Sequence, residues 1–170
     1  GQPRFFPVEP TVDTGAYLGP DETAVASWVQ KNNKHAGATT NTLPNAKCLY
    51  LAVRGRKKAL AVAAIVTKNR EKPEAFEKNF MVAILDECGL ALEKEMSKAY
   101  RASFLGRETE VLMEEPVEIG GARYMVGHTK EYVKAAIRLD GRDPKALKNT
   151  FVSGILGDFL TEEILLLNEK

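Results

Sequence analysis

The residues best suited to contact chemistry form a basic and aromatic series in the C-terminal half. Arg123, Lys130, Lys134, Arg138, Arg142, Lys145 and Lys148 follow one another with few acids between them, and Tyr124, His128 and Tyr132 are interleaved. Cationic side chains contact phosphates and aromatic faces stack on exposed bases, so the pattern is that of a nucleic-acid surface. It is equally the pattern of a solvated β face with its tyrosines half in a core, and spacing alone leaves both readings open. An acidic run, Glu108 to Glu118, precedes the series and would have to face away from any RNA. A second basic cluster, Arg54-Gly55-Arg56-Lys57-Lys58, fits either a phosphate site or the solvated tip of a hairpin.

Bond-making chemistry finds no support. The adjacent carboxylates Asp21/Glu22 and Asp86/Glu87 point apart on a helix and make poor acid–base partners. Ser153-Gly154 has neither His nor Asp in its company, which excludes a nucleophilic triad. Two cysteines and two histidines, isolated from one another, form no ligand spacing. Cys48 and Cys88 lie in apolar stretches and read as buried, reduced thiols. The chain is therefore expected to have no catalytic residue, no metal site and no cofactor. His35 reads as a solvated loop residue, with pH sensing or ligand contact as the sharper option, and His128 as a turn residue or an RNA contact.

Composition bounds the rest. A chain of 170 residues accommodates one medium domain or two small ones, and 44% hydrophobic with 28% charged residues is ordinary for a globular protein. Net charge is +1, and no global field attracts nucleic acid or an anionic membrane. No apolar run approaches about 18 residues and no charged-then-apolar leader opens the sequence. Gly1-Gln2-Pro3 reads as the start of a trimmed fragment, and a cytoplasmic location is expected.

Among the elements that must position these residues, Arg4 to Val8 reads as a short edge strand and Thr11 to Pro20 as loop. Asp21 offers an N-cap for a helix from Glu22 to Asn33, with Ala24, Val25, Trp28 and Val29 at helical spacing and Trp28 in the core. Asn33 to Asn45 is a long polar connection. Cys48 to Val53 and Ala59 to Val66, around the basic turn, form a β-hairpin at the centre of a sheet. Pro73 opens a long helix in which Phe76, Phe80, Ile84, Cys88, Leu92, Met96, Tyr100 and Phe104 recur every fourth residue. At about 100° per residue such a stripe rotates by about 40° per step, so the helix either serves two bodies or breaks near Gly89.

The run Ala26 to Ala46, with Trp28, Ala36-Gly37, Thr40, Thr42 and Leu43-Pro44, followed by Leu49-Tyr50-Leu51, resembles the GAF-like sensor domain of KdpD-type potassium-responsive histidine kinases. The resemblance covers residues 1–95 and implies a sheet entered partway, a hairpin, a long C-terminal helix and a role in two-component signal transduction. Such a piece binds a small molecule or a partner protein and transmits through the helix. Neither histidine has the context of a phospho-acceptor and no ATP-binding box is present, so autophosphorylation is not expected.

From Gly106 the texture changes to short strands, with Pro116 interrupting the first and Gly120-Gly121 turning between the next two. Tyr132 to Arg138, Phe151 to Leu156 and Glu163 to Leu167 complete about five strands, the pattern of a small closed barrel. Phe104-Leu105-Gly106-Arg107, Glu110-Val111-Leu112 and Gly127-His128-Thr129-Lys130-Glu131-Tyr132-Val133-Lys134 resemble the C-terminal TRAM domain of MiaB/MtaB-like tRNA methylthiotransferases. That resemblance covers residues 96–170 and implies an OB-like barrel that holds tRNA. The radical-SAM cysteine motif is absent, so methylthiolation is not expected. The whole is expected to be α+β: a GAF-like antiparallel sheet flanked by helices, then a small OB-like, TRAM-like β-barrel. Its expected function is that of a non-catalytic sensor module, with an RNA-binding accessory as the alternative. The expected RNA-contacting set is Arg123, Tyr124, His128, Lys130, Tyr132, Lys134 and Arg138, and a homodimer is an expected assembly.

Overall fold

The computed structural model describes residues 6–8, 14–17, 19–67 and 71–169. The fold is α+β, and the chain divides into two compact units, Gly1–Lys94 and Glu95–Lys170.

In the first unit, a 3-10 turn at Thr14–Tyr17 precedes helix α1 (Pro20–Asn32). The helix starts ahead of the expected Asp21 cap. Pro20 occupies the first helical position, where its missing N–H is no loss, and Gly19 stands before it in an extended conformation without a side-chain cap. Asp21 and Glu22 thus fall in the first turn, where the helix dipole favours carboxylates. Asn33 ends the helix in the left-handed conformation, φ 53°. Strand β1 (Ala36–Gly37), β2 (Cys48–Arg54) and β3 (Ala59–Val66) form an antiparallel sheet with β2 in the middle. β2 is buried along almost its whole length, as a continuous apolar run predicts. Val25, Ala26 and Val29 of α1 pack with Ala36, Cys48, Tyr50 and Ala52, and Trp28 lies half-buried against them. Of the expected strand from Arg4 to Val8, Arg4 and Phe5 lie outside the described residues, and Phe6 to Val8 are exposed and not in a strand.

Helix α2 (Ala75–Ala102) opens two residues after the expected Pro73 and does not break at Gly89. Gly89 is its buried residue, and a methyl group there would collide with the Arg54 carbonyl, so glycine lets the helix lie directly against the backbone of β2. From Phe76 to Leu92 the every-fourth-residue stripe is not the packed face. Phe76, Phe80, Ile84 and Leu92 are exposed, while Met81, Val82 and Leu85 are half-buried. Cys88 is exposed too, a correction to the expected buried thiol.

In the second unit, β4 (Glu108–Ile119), β5 (Ala122–Thr129), β6 (Lys134–Arg138), β7 (Phe151–Phe159) and β8 (Ile164–Glu169) make a mixed sheet. Its pairings run β4-β5-β6-β8-β7 and return to β4, closing the sheet on itself as a barrel, with β6 and β8 the parallel pair. Pro116 does not interrupt β4. Pairing with β7 covers only Glu108 to Leu112, so the missing N–H falls where that edge of β4 has no ladder partner among the described residues. Gly120 and Gly121 both take positive φ, as a two-residue hairpin requires. The polar loop from Asp140 holds a one-turn helix, α3 (Pro144–Leu147), capped by the Asp143 carboxylate. The core is made by alternate residues, with Val111, Met113, Met125, Ile137, Leu156 and Leu165 fully enclosed and Phe104 packed at their edge.

Candidate nucleic-acid interface

The outward side of β5 and β6 carries most of the residues singled out in the sequence. Met125 and Ile137 pair and point into the core, so the alternate pairs point to the other side, where the middle pair, Val126 with Ala136, is itself buried. Tyr124 stands opposite Arg138, and His128 opposite Lys134. Arg138 and Lys134 are exposed, while Tyr124 and His128 are half-buried. Lys130 and Tyr132 belong to the loop joining the two strands. Arg123 has the opposite parity: it pairs with Glu118 of β4 and does not share the face of Tyr124.

Acids reach this series both from within it and from the neighbouring strand β4. The Glu114 carboxylate lies 2.8 Å from His128 Nδ1. Asp140 pairs with Arg138 at 2.9 Å, and Glu131 with Lys130 at 3.7 Å. Arg142 turns away altogether: its guanidinium donates to both Glu169 carboxylate oxygens at 2.8 and 2.7 Å. That bidentate bond raises the Arg142 pKa and lowers that of Glu169. Lys134 and Arg123 have no ion-pair partner among the described residues. The acidic strand does not face away as a whole, because Glu114 reaches across to β5.

The loop from Thr129 to Val133 is built by one hydroxyl. Thr129 Oγ1 accepts from the backbone N–H groups of Glu131 and Val133 at 3.2 and 3.3 Å, and Thr129 N–H donates to the Val133 carbonyl. Tyr132 is thereby held at φ 61° with its side chain 86% exposed. Gly127 serves the same region, since a Cβ there would strike the Leu112 carbonyl of β4.

No protein-family model and no curated protein matches the chain.

The first unit carries a smaller set of polar features. The basic turn after β2 is largely consumed in holding α2: Arg54 bonds Asn33 and lies 3.5 Å from Asp86, and Arg56 N–H donates to Glu93. Lys57 and Lys58 remain exposed at the tip, so a phosphate site built from the whole cluster does not form. The Thr/Gly loop closes on Thr40, whose hydroxyl lies 2.8 Å from the carbonyls of Gly37 and Thr42 and accepts from Thr42 N–H at 3.2 Å. His35 is half-buried, and its Nδ1 is buried without a hydrogen-bond partner among the described residues. Its pKa is lowered by burial and then by the charges of Arg54 and Lys78, with Asp86 opposing.

Glu22 was not legible as a functional or structural residue. It is 4% exposed and accepts from Tyr50 O–H at 2.6 Å and Lys47 N–H at 2.7 Å, tying α1 to β2. Burial and this carboxylate push the Tyr50 pKa well up, and burial raises that of Cys48. Among the described residues no group of three or more His, Cys, Asp or Glu is arranged to hold a metal ion. No helix among them is long and apolar enough to cross a membrane.

Proposed function

We propose that the second unit is an RNA-binding accessory module of the OB-like, TRAM-like kind. The reading is carried by the register of β5 and β6, which sets Tyr124 against Arg138 and His128 against Lys134 on one outward face. Numbered within the unit, the strand order is 1-2-3-5-4 with the third and fifth parallel, the order of OB-type Greek-key barrels, whose second and third strands form the usual binding face. Cations there meet phosphates, and Tyr124 offers an aromatic edge beside them. The Arg138–Asp140 pair is exposed on both sides, so it contributes little to the fold and gives way readily to a phosphate. RNA is favoured over duplex DNA by the resemblance of Gly127 to Lys134 to the tRNA-holding domain.

Titration with tRNA-sized RNA at two salt concentrations tests this. Binding is expected at low salt and should fall steeply as salt rises. Replacing Lys130, Lys134 and Arg138 together with Gln should flatten the log–log salt slope by about 2, at about 0.7 per lost single-strand phosphate contact. No binding at low salt, or an unchanged slope in the triple variant, sinks the reading.

For the first unit we infer a non-catalytic sensor role of the GAF-like kind found in KdpD-type kinases. The buried Nδ1 of His35, unpartnered among the described residues and set near Arg54 and the α2 residues Lys78 and Asp86, favours it. A ligand donor or acceptor reaching that nitrogen would act on the group of charges that fastens α2 to the hairpin. A thermal-shift screen with nucleotides and small metabolites is expected to raise Tm for at least one compound, and the rise should vanish in His35→Ala. A rise that persists in that variant assigns the binding elsewhere.

A further inference from the structure

We propose that Tyr132 is a stacking residue for one unpaired nucleobase, held ready by Thr129. This rests on the RNA reading above and narrows its ligand from RNA in general to a strand with a splayed-out base. Two observations converge. Tyr132 has φ 61°, a conformation that is uncommon for a bulky side chain and unfavourable without support. The residue, 86% exposed, gains little in packing to offset that strain. A tyrosine kept for the fold would turn its ring inward, as its neighbour Val133 does at 1% exposure.

The strain is imposed locally. Thr129, itself 4% exposed, accepts from Glu131 and Val133 N–H through its hydroxyl, while Tyr132 N–H donates to the Thr129 carbonyl at 2.9 Å. These bonds fix the backbone and leave the aromatic face open. Lys130 and Lys134 lie two residues to either side, both exposed, where the phosphates flanking a stacked base would run. A duplex keeps its base faces covered and offers nothing to such a ring, whereas a single strand does. Thr129 is then a positioning residue, acting through the turn and not by touching RNA.

The test is fluorescence anisotropy of the full chain with a labelled oligouridylate and, in parallel, an RNA duplex of equal length. Tyr132→Ala is expected to weaken oligouridylate binding by about tenfold or more and leave duplex binding and the salt slope unchanged, because no charge is removed. Tyr132→Phe should keep its affinity. Thr129→Val should lower it and Thr129→Ser restore it. Tyr132→Gly should lose binding as the alanine variant does, with Tm equal to or above that of the parent, since glycine accepts the left-handed backbone. That variant and Tyr132→Ala carry the test should Thr129→Val not fold. Parent binding to oligouridylate that survives unchanged in Tyr132→Ala overturns the stacking role and leaves the phosphate reading standing. Failure of the parent to bind either RNA overturns both.

Discussion

Glu22, at 4% exposure, shows how a single buried carboxylate can be tolerated in a small core. Two donors reach it, Tyr50 O–H and Lys47 N–H, so its lone pairs are met. Truncating it leaves both donors facing a cavity, and Glu22→Ala is expected to destabilise the first unit by about 2–4 kcal/mol, read from urea denaturation. His35 acts in the opposite sense, through an unmet atom. Its folded-state pKa lies below the usual 6.5, mainly through burial, so the proton is favoured in the unfolded chain. Stability is therefore full above 6.5 and declines as pH falls through that value towards the depressed one. Urea midpoints measured across that range should fall less steeply in His35→Gln than in the parent; equal profiles would assign the decline to other groups. The thiols divide by environment as well. Cys48 is 1% exposed and held neutral by burial, while Cys88 lies on the open side of α2. A disulfide reagent should titrate one thiol in the native protein and two in urea.

At the scale of elements, the docking of α2 on the first unit depends on a residue with no side chain. Alanine at position 89 would be favoured by helix propensity, by about 1 kcal/mol. Against this stands the Arg54 carbonyl, which the new methyl would strike, and backbone cannot swing aside as a side chain does. Overpacking of this kind costs about 1–3 kcal/mol and wins. Gly89→Ala is therefore expected to lower the urea midpoint of the first unit, whereas Cys88→Ala, one position away on the exposed face, should leave it in place.

The same helix shows where reading a sequence succeeds and where it misleads. Its existence was legible from length and apolar content, but its packed face was not. A large residue at every fourth position draws the eye to Phe76, Phe80 and Ile84, which are exposed. Smaller signals, Val82, Leu85 and the bare Gly89, mark the packed side. The hairpin of β2 and β3 and the Gly120-Gly121 turn were legible because two-residue and glycine-bearing turns leave few alternatives. Asp21 misled because Pro20, with no N–H to lose, takes the first helical position and moves the start ahead of it. In the candidate interface, alternation along β5 and β6 located the outward pairs. The pairing of Glu114 with His128 and of Glu169 with Arg142 could not be read, because it depends on which strands become neighbours and not on distance along the chain.

For the whole molecule, the question is whether the candidate interface needs the first unit. The Phe104 ring, 8% exposed, is packed into the core of the second unit, with Tyr100 edge-on at 5.1 Å and the Arg107 guanidinium over its face at 4.8 Å. Tyr100 O–H also reaches the Glu131 carbonyl, and Arg101 donates to that of Glu162. The last turns of α2 thus belong energetically with the closed sheet, in keeping with a unit boundary between Lys94 and Glu95. A fragment of residues 95–170 keeps these contacts, the core around Met113 and Met125, and every residue of the candidate interface. Its 76 residues are near the lower limit at which one hydrophobic core sustains a fold, but closure of the sheet leaves few strand edges to solvent. It is expected to unfold cooperatively by circular dichroism and to bind oligouridylate with the salt slope of the full chain. If the fragment folds but its affinity falls about tenfold or more, the first unit contributes to the RNA contact, and the face of β5 and β6 is not sufficient.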